Sequence, residues 1–196
     1  MGTGTAVLIV VAMILVLKVS VIISLRNGIV RAKNRVQRAW SDVLTYERRK
    51  LNVVPTIAEK LKEYQEYESG LQRQLTQLRG LAQGLTEETV DVGSLKDVEE
   101  CSRALLAGIK VAVEAYPELK ASELYAGWMR ELAESEDNVA AAIVIFNAGV
   151  QGFNDRIQLF PGNWVNAMLN KERSLPTFTD SAARSGIEFP GPQFGR

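Results

Sequence analysis

Histidine is absent from this chain of 196 residues, and cysteine occurs once, at Cys101. The first absence removes imidazole general bases, Ser–His and Cys–His nucleophilic pairs, and zinc sites that need histidine. The second removes disulfides within one chain and multi-cysteine metal sites. Cys101 follows Glu99 and Glu100, whose charges are expected to raise its pKa, so it reads as a small packing residue rather than a reactive thiol. Glycine-rich phosphate signatures are missing too: no GxxxxGKS/T run and no GxGxxG at a strand–helix turn occurs. What is left for catalysis is carboxylate chemistry, with Glu114, Glu118 or Glu131 as its residues. It is the weakest of three functional readings. No catalytic residue, cofactor or metal ligand is assigned, and the protein is read as a non-enzyme.

Net charge is also lacking, with 23 basic and 23 acidic residues, but the zero hides a separation. Residues 26–50 hold eight basic side chains and two acidic ones, Asp42 and Glu47. From residue 51 onward there are 14 basic and 21 acidic residues. The chain is a basic collar on an acidic body. No aromatic is interleaved with the basic side chains from Arg26 to Arg38, and Trp40 is the first to follow them, which argues against nucleic acid and for a membrane surface.

Ahead of the collar lies the longest hydrophobic run, residues 6–25, AVLIVVAMILVLKVSVIISL, with Lys18 as its single charge. About 20 apolar residues in a helix span the ~30 Å hydrocarbon core of a bilayer. The preceding MGTGT carries no basic side chain, unlike the start of a cleaved signal peptide, so the run is read as an uncleaved anchor. Arg26, Arg31, Lys33, Arg35 and Arg38 directly behind it place the body on the cytoplasmic side and the N-terminus outside. The same residues are expected to attract anionic lipid head groups. Lys18 lies eight residues before Arg26, about 12 Å along a helix. Snorkelling of its ammonium to the interface is the favoured reading, and contact with a partner helix inside the membrane is the other.

The soluble part shows helical periodicity and no convincing period-two alternation, so the fold class is all-α: a transmembrane helix followed by an elongated antiparallel bundle of long helices. The expected organisation is 1–5 external, 6–25 transmembrane, 26–171 a cytoplasmic bundle, and 172–196 an extended or disordered tail. A first helix is expected to run to about residue 50, with Asn27-Gly28 as the natural kink. Pro55 fits the first turn of a second helix, which carries Leu61, Tyr64, Glu68, Leu71, Leu75 and Leu78. Gly84 to Gly93 is expected as a loop, and a third helix runs from a Ser94 cap to Tyr116, stopped by Pro117. A fourth, capped by Ser122, carries a stripe of Leu124, Trp128, Leu132, Ser135, Val139, Ala142, Phe146, Gly149, Phe153, Ile157 and Phe160. Residues 163–171 are read as a short amphipathic helix whose Trp164, Met168 and Leu169 pack on the bundle or touch lipid, with packing favoured. Phe178, Phe189 and Phe194 are candidate docking points for a partner.

Several motifs resemble one family. Asn34-Arg35-Val36, Ala39-Trp40-Ser41, Glu47-Arg48-Arg49, Val53-Val54-Pro55 and Lys62-Glu63-Tyr64 are similar to the opening block of the LemA proteins. Glu114-Ala115-Tyr116-Pro117-Glu118-Leu119-Lys120-Ala121 resembles that family's EAYPxLKA. Phe146-Asn147, Phe153-Asn154 and Phe160-Pro161 resemble its YN…YN…FP ladder, and the matches extend over residues 27–167. The chain departs at Thr56, in the two phenylalanines that replace ladder tyrosines, and at Ala140–Ala142, where an arginine-rich step is usual. The resemblance implies a single-pass bacterial membrane protein with a cytoplasmic helical domain and no established enzymatic activity. One branch of the family is associated with membrane compartment formation.

The physical expectation for these motif residues is structural. Trp40 and the Phe146, Phe153 and Phe160 ladder bury apolar area. Asn147 and Asn154, seven apart, are placed to cross-link helices, and Arg48 and Arg49 to pair with glutamates of a neighbouring helix. The leading functional reading is a scaffold at the inner leaflet of the bacterial cell membrane, or of an internal membrane derived from it. It associates with itself or with a membrane-associated protein and organises or curves the membrane. The second is a tethered signalling or adaptor module that binds through its acidic body or aromatic tail.

Overall fold

The computed structural model describes residues 2–61 and 69–179. Its first element is one helix of 59 residues, α1 (Thr3–Leu61), followed by α2 (Ser69–Gly84), α3 (Val92–Glu114), a single turn α4 (Pro117–Lys120) and α5 (Glu123–Gln158). A second single turn, α6 (Gly162–Val165), runs into a π turn, Asn166–Asn170. No strand occurs among the described residues, as the periodicity requires.

At 1.5 Å per residue α1 is about 88 Å long. Its lower part is exposed as far as Ser24, Leu25 is the first residue to pack against the core, and the part beyond Leu25 is as long as α5. These two pack antiparallel along their length. The Arg156 guanidinium reaches the Gly28 carbonyl at 3.4 Å, Gly149 lies against Val36, and the rings of Trp40 and Phe146 are 5.5 Å apart and tilted by 50°. Helices α2 and α3 form a hairpin on the upper part of α1. Cys101 Sγ approaches the Gln74 carbonyl at 3.8 Å, and Leu71 packs so closely on Gly108 that a Cβ there would lie 2.7 Å from Leu71 Cδ2. The result is an up-down-up-down bundle. One core runs from Ile29, Val36 and Trp40 through Leu71, Leu75, Leu78, Leu95, Leu105 and Ile109 to Phe146, Val150 and Phe153.

Several sequence-based boundaries move. The first helix does not stop near residue 50; Pro55 sits inside it. Its missing N–H costs one intrahelical bond, but Val53, Val54 and Ile57 around it are buried, and their packing overrides the local preference. Helical geometry continues through Asn27-Gly28. Gly28 serves instead as the place where Arg156 approaches, since a Cβ would meet its Nη1 at 3.0 Å. The cap of α3 is Asp91 rather than Ser94: Ser94 N–H and hydroxyl both donate to Asp91, at 3.0 and 2.7 Å. Those two bonds hold the Asp91 carboxyl below the usual range. Pro117 opens α4 with Tyr116 as its cap residue, while α3 has already ended at Glu114. Ser122 caps α5 as expected, accepting from Tyr125 N–H at 3.2 Å. The side chains of Leu61 and Tyr64 and Glu68, and Phe189 and Phe194, lie outside what the structure describes.

Candidate functional site

The lower end of the molecule is decided by exposure. From Val7 to Ile23 the large hydrophobics of α1 are 43% to 70% exposed, and the most apolar 18 residues have a mean hydropathy of 3.1 with none buried by the protein itself. This segment is long and apolar enough to cross a membrane. Lys18 is exposed among its apolar neighbours. Just above, Arg26, Arg31, Lys33, Arg35 and Arg38 are all exposed, while Ile29, Ala32, Val36 and Ala39 between them turn inward. The collar is thus the outward face of the first turns that α5 covers. Lys33 pairs with Glu172 at 2.8 Å.

At the same level the chain turns a corner after α5. Leu159 leaves the helix with φ −85° and ψ 148°, which takes Phe160 off the inward stripe. Phe146 and Phe153 are fully buried, but Phe160 is 74% exposed, so the expected ladder has two buried rungs and not three. Pro161 joins it through a cis peptide bond, and Gly162 follows with no room for a Cβ, which would lie 2.0 Å from the Arg156 carbonyl oxygen. Trp164, Met168 and Leu169 are also more than half exposed. Their expected packing on the bundle is therefore wrong. The corner is tied to α1 by backbone and polar groups instead, with Asn170 Nδ2 donating to the Arg26 carbonyl at 3.4 Å.

The motif asparagines bind the tail. The Asn147 amide donates to the Phe178 carbonyl and accepts from its N–H, both at 2.8 Å. Asn154 does the same to Leu175, at 2.9 and 3.0 Å, and Asn166 to Glu172, at 2.9 Å each. The spacing is matched: seven residues of helix rise about 10.5 Å, and three residues of extended chain span about 10 Å. The asparagines therefore do not cross-link helices. They hold residues 172–178 as a strap, and Phe178, expected as a docking point for a partner, is buried under it.

The sequence reading missed a second polar constellation, inside the bundle. Lys50 is 2% exposed and Glu47 is fully buried. Lys50 Nζ lies 2.8 Å from Glu99 on α3 and 3.0 Å from Glu47 one turn below. The Glu47 contact has ion-pair distance without hydrogen-bond alignment, and both Glu47 oxygens and the Ser102 hydroxyl are buried without a hydrogen-bond partner. Burial pushes the Glu47 pKa up to about 8, against the pull of Lys50 and with the support of the Glu99 charge. Burial alone would lower the Lys50 pKa, but Glu47 and then Glu99 outweigh it and raise it. At neutral pH Lys50 therefore stands as ammonium beside a Glu47 that burial holds toward its neutral acid form. Lys50 and Glu99, but not Glu47, line a cleft of about 560 Å³ together with Ser102, Arg103, Glu136, Asn147 and Phe178.

The other sequence candidates fall outside these places. Trp40 is fully buried, and its indole N–H donates to the Thr86 carbonyl at 3.0 Å. With the Gln37 side-chain amide donating to the Glu87 carbonyl, this clamps the α2–α3 loop onto α1. Arg48 pairs with Glu87 of that loop at 2.7 Å, rather than with a helix, and Arg49 is exposed. Both members of the Arg48 pair are half exposed, which leaves it little energetic weight. Glu114, Glu118 and Glu131 are exposed on three different elements, and among the described residues no acidic, His or Cys group is arranged to hold a metal. Cys101 is half-buried, and burial, not the adjacent glutamates, raises its pKa.

Residues 39–189 match the LemA family. A protein LemA of Metamycoplasma hominis is 28% identical over 146 residues, which cover 74% of this chain and 64% of the relative. The chain thus spans less than two thirds of the length of that curated relative.

Proposed function

This chain belongs to the LemA family, and from that premise we propose that it is a single-pass scaffold of bacterial membranes, anchored by residues 6–25. One observation carries the proposal: the large hydrophobics of the apolar segment from Val7 to Ile23 are exposed, and the segment continues, as one helix, into the bundle. Exposed apolar area of that extent needs a hydrocarbon phase. Because helical geometry is unbroken from Thr3 to Leu61, the anchor and the body are rigidly joined, and the bundle stands as a post on the bilayer. The basic collar favours the cytoplasmic face and anionic head groups.

The role is architectural rather than catalytic. The anchor and collar set position, and the acidic outer face of α5 offers a surface to a second copy or to another membrane-associated protein, organising or curving the membrane where copies gather. Crosslinking in native membranes, with mass measurement of the detergent-solubilised protein, tests this. Oligomers or a reproducible partner are expected, and a strictly monomeric protein with no partner contradicts it. The adaptor reading through the tail loses part of its basis, because Phe178 is committed to the bundle.

A further inference from the structure

We propose that the corner of Leu159, Phe160, Trp164, Met168 and Leu169 is a second lipid contact, seated in the head-group and upper acyl region beside the point where α1 emerges from the bilayer. The proposal rests on the reading that residues 6–25 span the membrane, and it adds a contact made by the opposite end of the sequence.

Position carries it first. The corner is fixed to α1 at Arg26, Gly28 and Lys33 through Asn170, Arg156 and Glu172. Arg26 follows the last residue of the apolar run by one helical step, about 1.5 Å. The corner therefore lies at the height of the membrane boundary, at the end of α5 nearest the bilayer. A surface there is continuous with the lipid-facing surface of α1.

Composition is the second argument. The five side chains are 51% to 75% exposed, and Phe160 and Trp164 meet edge to face at 5.8 Å. Elsewhere among the described residues of the body the exposed large hydrophobics are Val30, Tyr46, Val111, Leu124, Val144 and Ile145, scattered over three helices. A clustered apolar patch containing Trp is what an interfacial membrane contact requires, since the indole prefers the head-group level. Exposed Arg26, Arg156 and Lys171 are near the patch in the chain or in space. Of the acidic groups at this end, Glu172 is neutralised by Lys33 and Asp155 faces solvent. The lipid surface is the favoured occupant over a second copy because the patch meets the membrane plane wherever the anchor is inserted. Two contacts at one height fix the rotation of the bundle about α1 and bring the α5 side down toward the head groups.

The test uses the full chain in vesicles of phosphatidylethanolamine and phosphatidylglycerol. On a Cys101→Ser background, single cysteines at Trp164→Cys, Met168→Cys, Met13→Cys and Val111→Cys carry a nitroxide. Collision with oxygen is compared with collision with a water-soluble nickel complex. Met13 reports the span, and Val111 reports the upper bundle in water. The expected result is more oxygen than nickel collision at 13, 164 and 168, shallower at the last two, and the reverse at 111. Aqueous behaviour at 164 and 168 with a buried label at 13 overturns the second contact and leaves the anchor standing. Aqueous behaviour at all three overturns both. Labels at 164 and 168 that are immobilised and shielded from both reagents overturn it in favour of contact with a second copy.

Discussion

Glu47→Gln isolates the cost of burying an acid in the middle of the bundle. The pKa of Glu47 is about 8 in the folded protein against an ordinary 4.5. Between those values the folded state holds one proton that the unfolded chain has released, so stability falls as pH rises. The contribution is intact below about pH 4.5 and is gone above about pH 8, at roughly 1.4 kcal/mol per pH unit between. Over the whole window that amounts to about 4–5 kcal/mol, a large share of a domain's stability. The side chain is fully buried, so water does not screen the effect. The window is unusually clean because the chain has no histidine. Lys50 stays charged throughout, its pKa being raised further. Glutamine keeps the volume and removes the titration. Urea unfolding of the full chain in detergent micelles, followed by circular dichroism from pH 5.5 to 8.5, should show wild type losing stability with pH while the variant stays nearly flat. The two should differ most at pH 8.5, where the variant is the more stable. Parallel pH profiles would refute the reasoning, as would a wild type that gains stability across this range relative to the variant.

Other substitutions probe other joints. Trp40→Ala should cost about 3–5 kcal/mol in the same unfolding assay, because a fully buried indole leaves a cavity and frees the α2–α3 loop. Asn154→Ala should cost about 1–3 kcal/mol by orphaning the backbone of Leu175, with faster amide exchange at residues 172–178 as its signature; unchanged exchange there would contradict the strap. Arg48→Ala should change stability by less than about 0.5 kcal/mol, since its partner Glu87 is equally exposed. Gly108→Val should destabilise by about 1–3 kcal/mol, as the α2–α3 contact at Leu71 has no space for a side chain.

The helices were legible because their burial repeats with the helical period, and the stripe from Leu132 to Ile157 is found buried much as its spacing predicts. Pro55 misled because a local rule about proline met a stretch whose Val53, Val54 and Ile57 are all in the core. The Glu47–Lys50 pair carried a signal that went unused. Val36, Trp40, Val43, Glu47, Lys50, Val54 and Ile57 step by four and three along one face, so two charges stood at core positions. Their partner Glu99 could not be read, because it depends on how α3 is placed against α1. The asparagine clamps and the exposed corner were hidden for the same reason. Both follow from where α5 ends, at Leu159, and where the chain turns back, at Pro161 and Gly162.

Protease protection on sealed vesicles, prepared right-side-out and inside-out from cells making the full chain, tests the central claim most directly. A chain threaded once through the bilayer, with its bundle on the cytoplasmic side, should be digested only in inside-out vesicles, leaving a lipid-protected fragment that contains residues 6–25. Digestion of the whole chain in both preparations, or recovery of the protein in the soluble fraction, would contradict it.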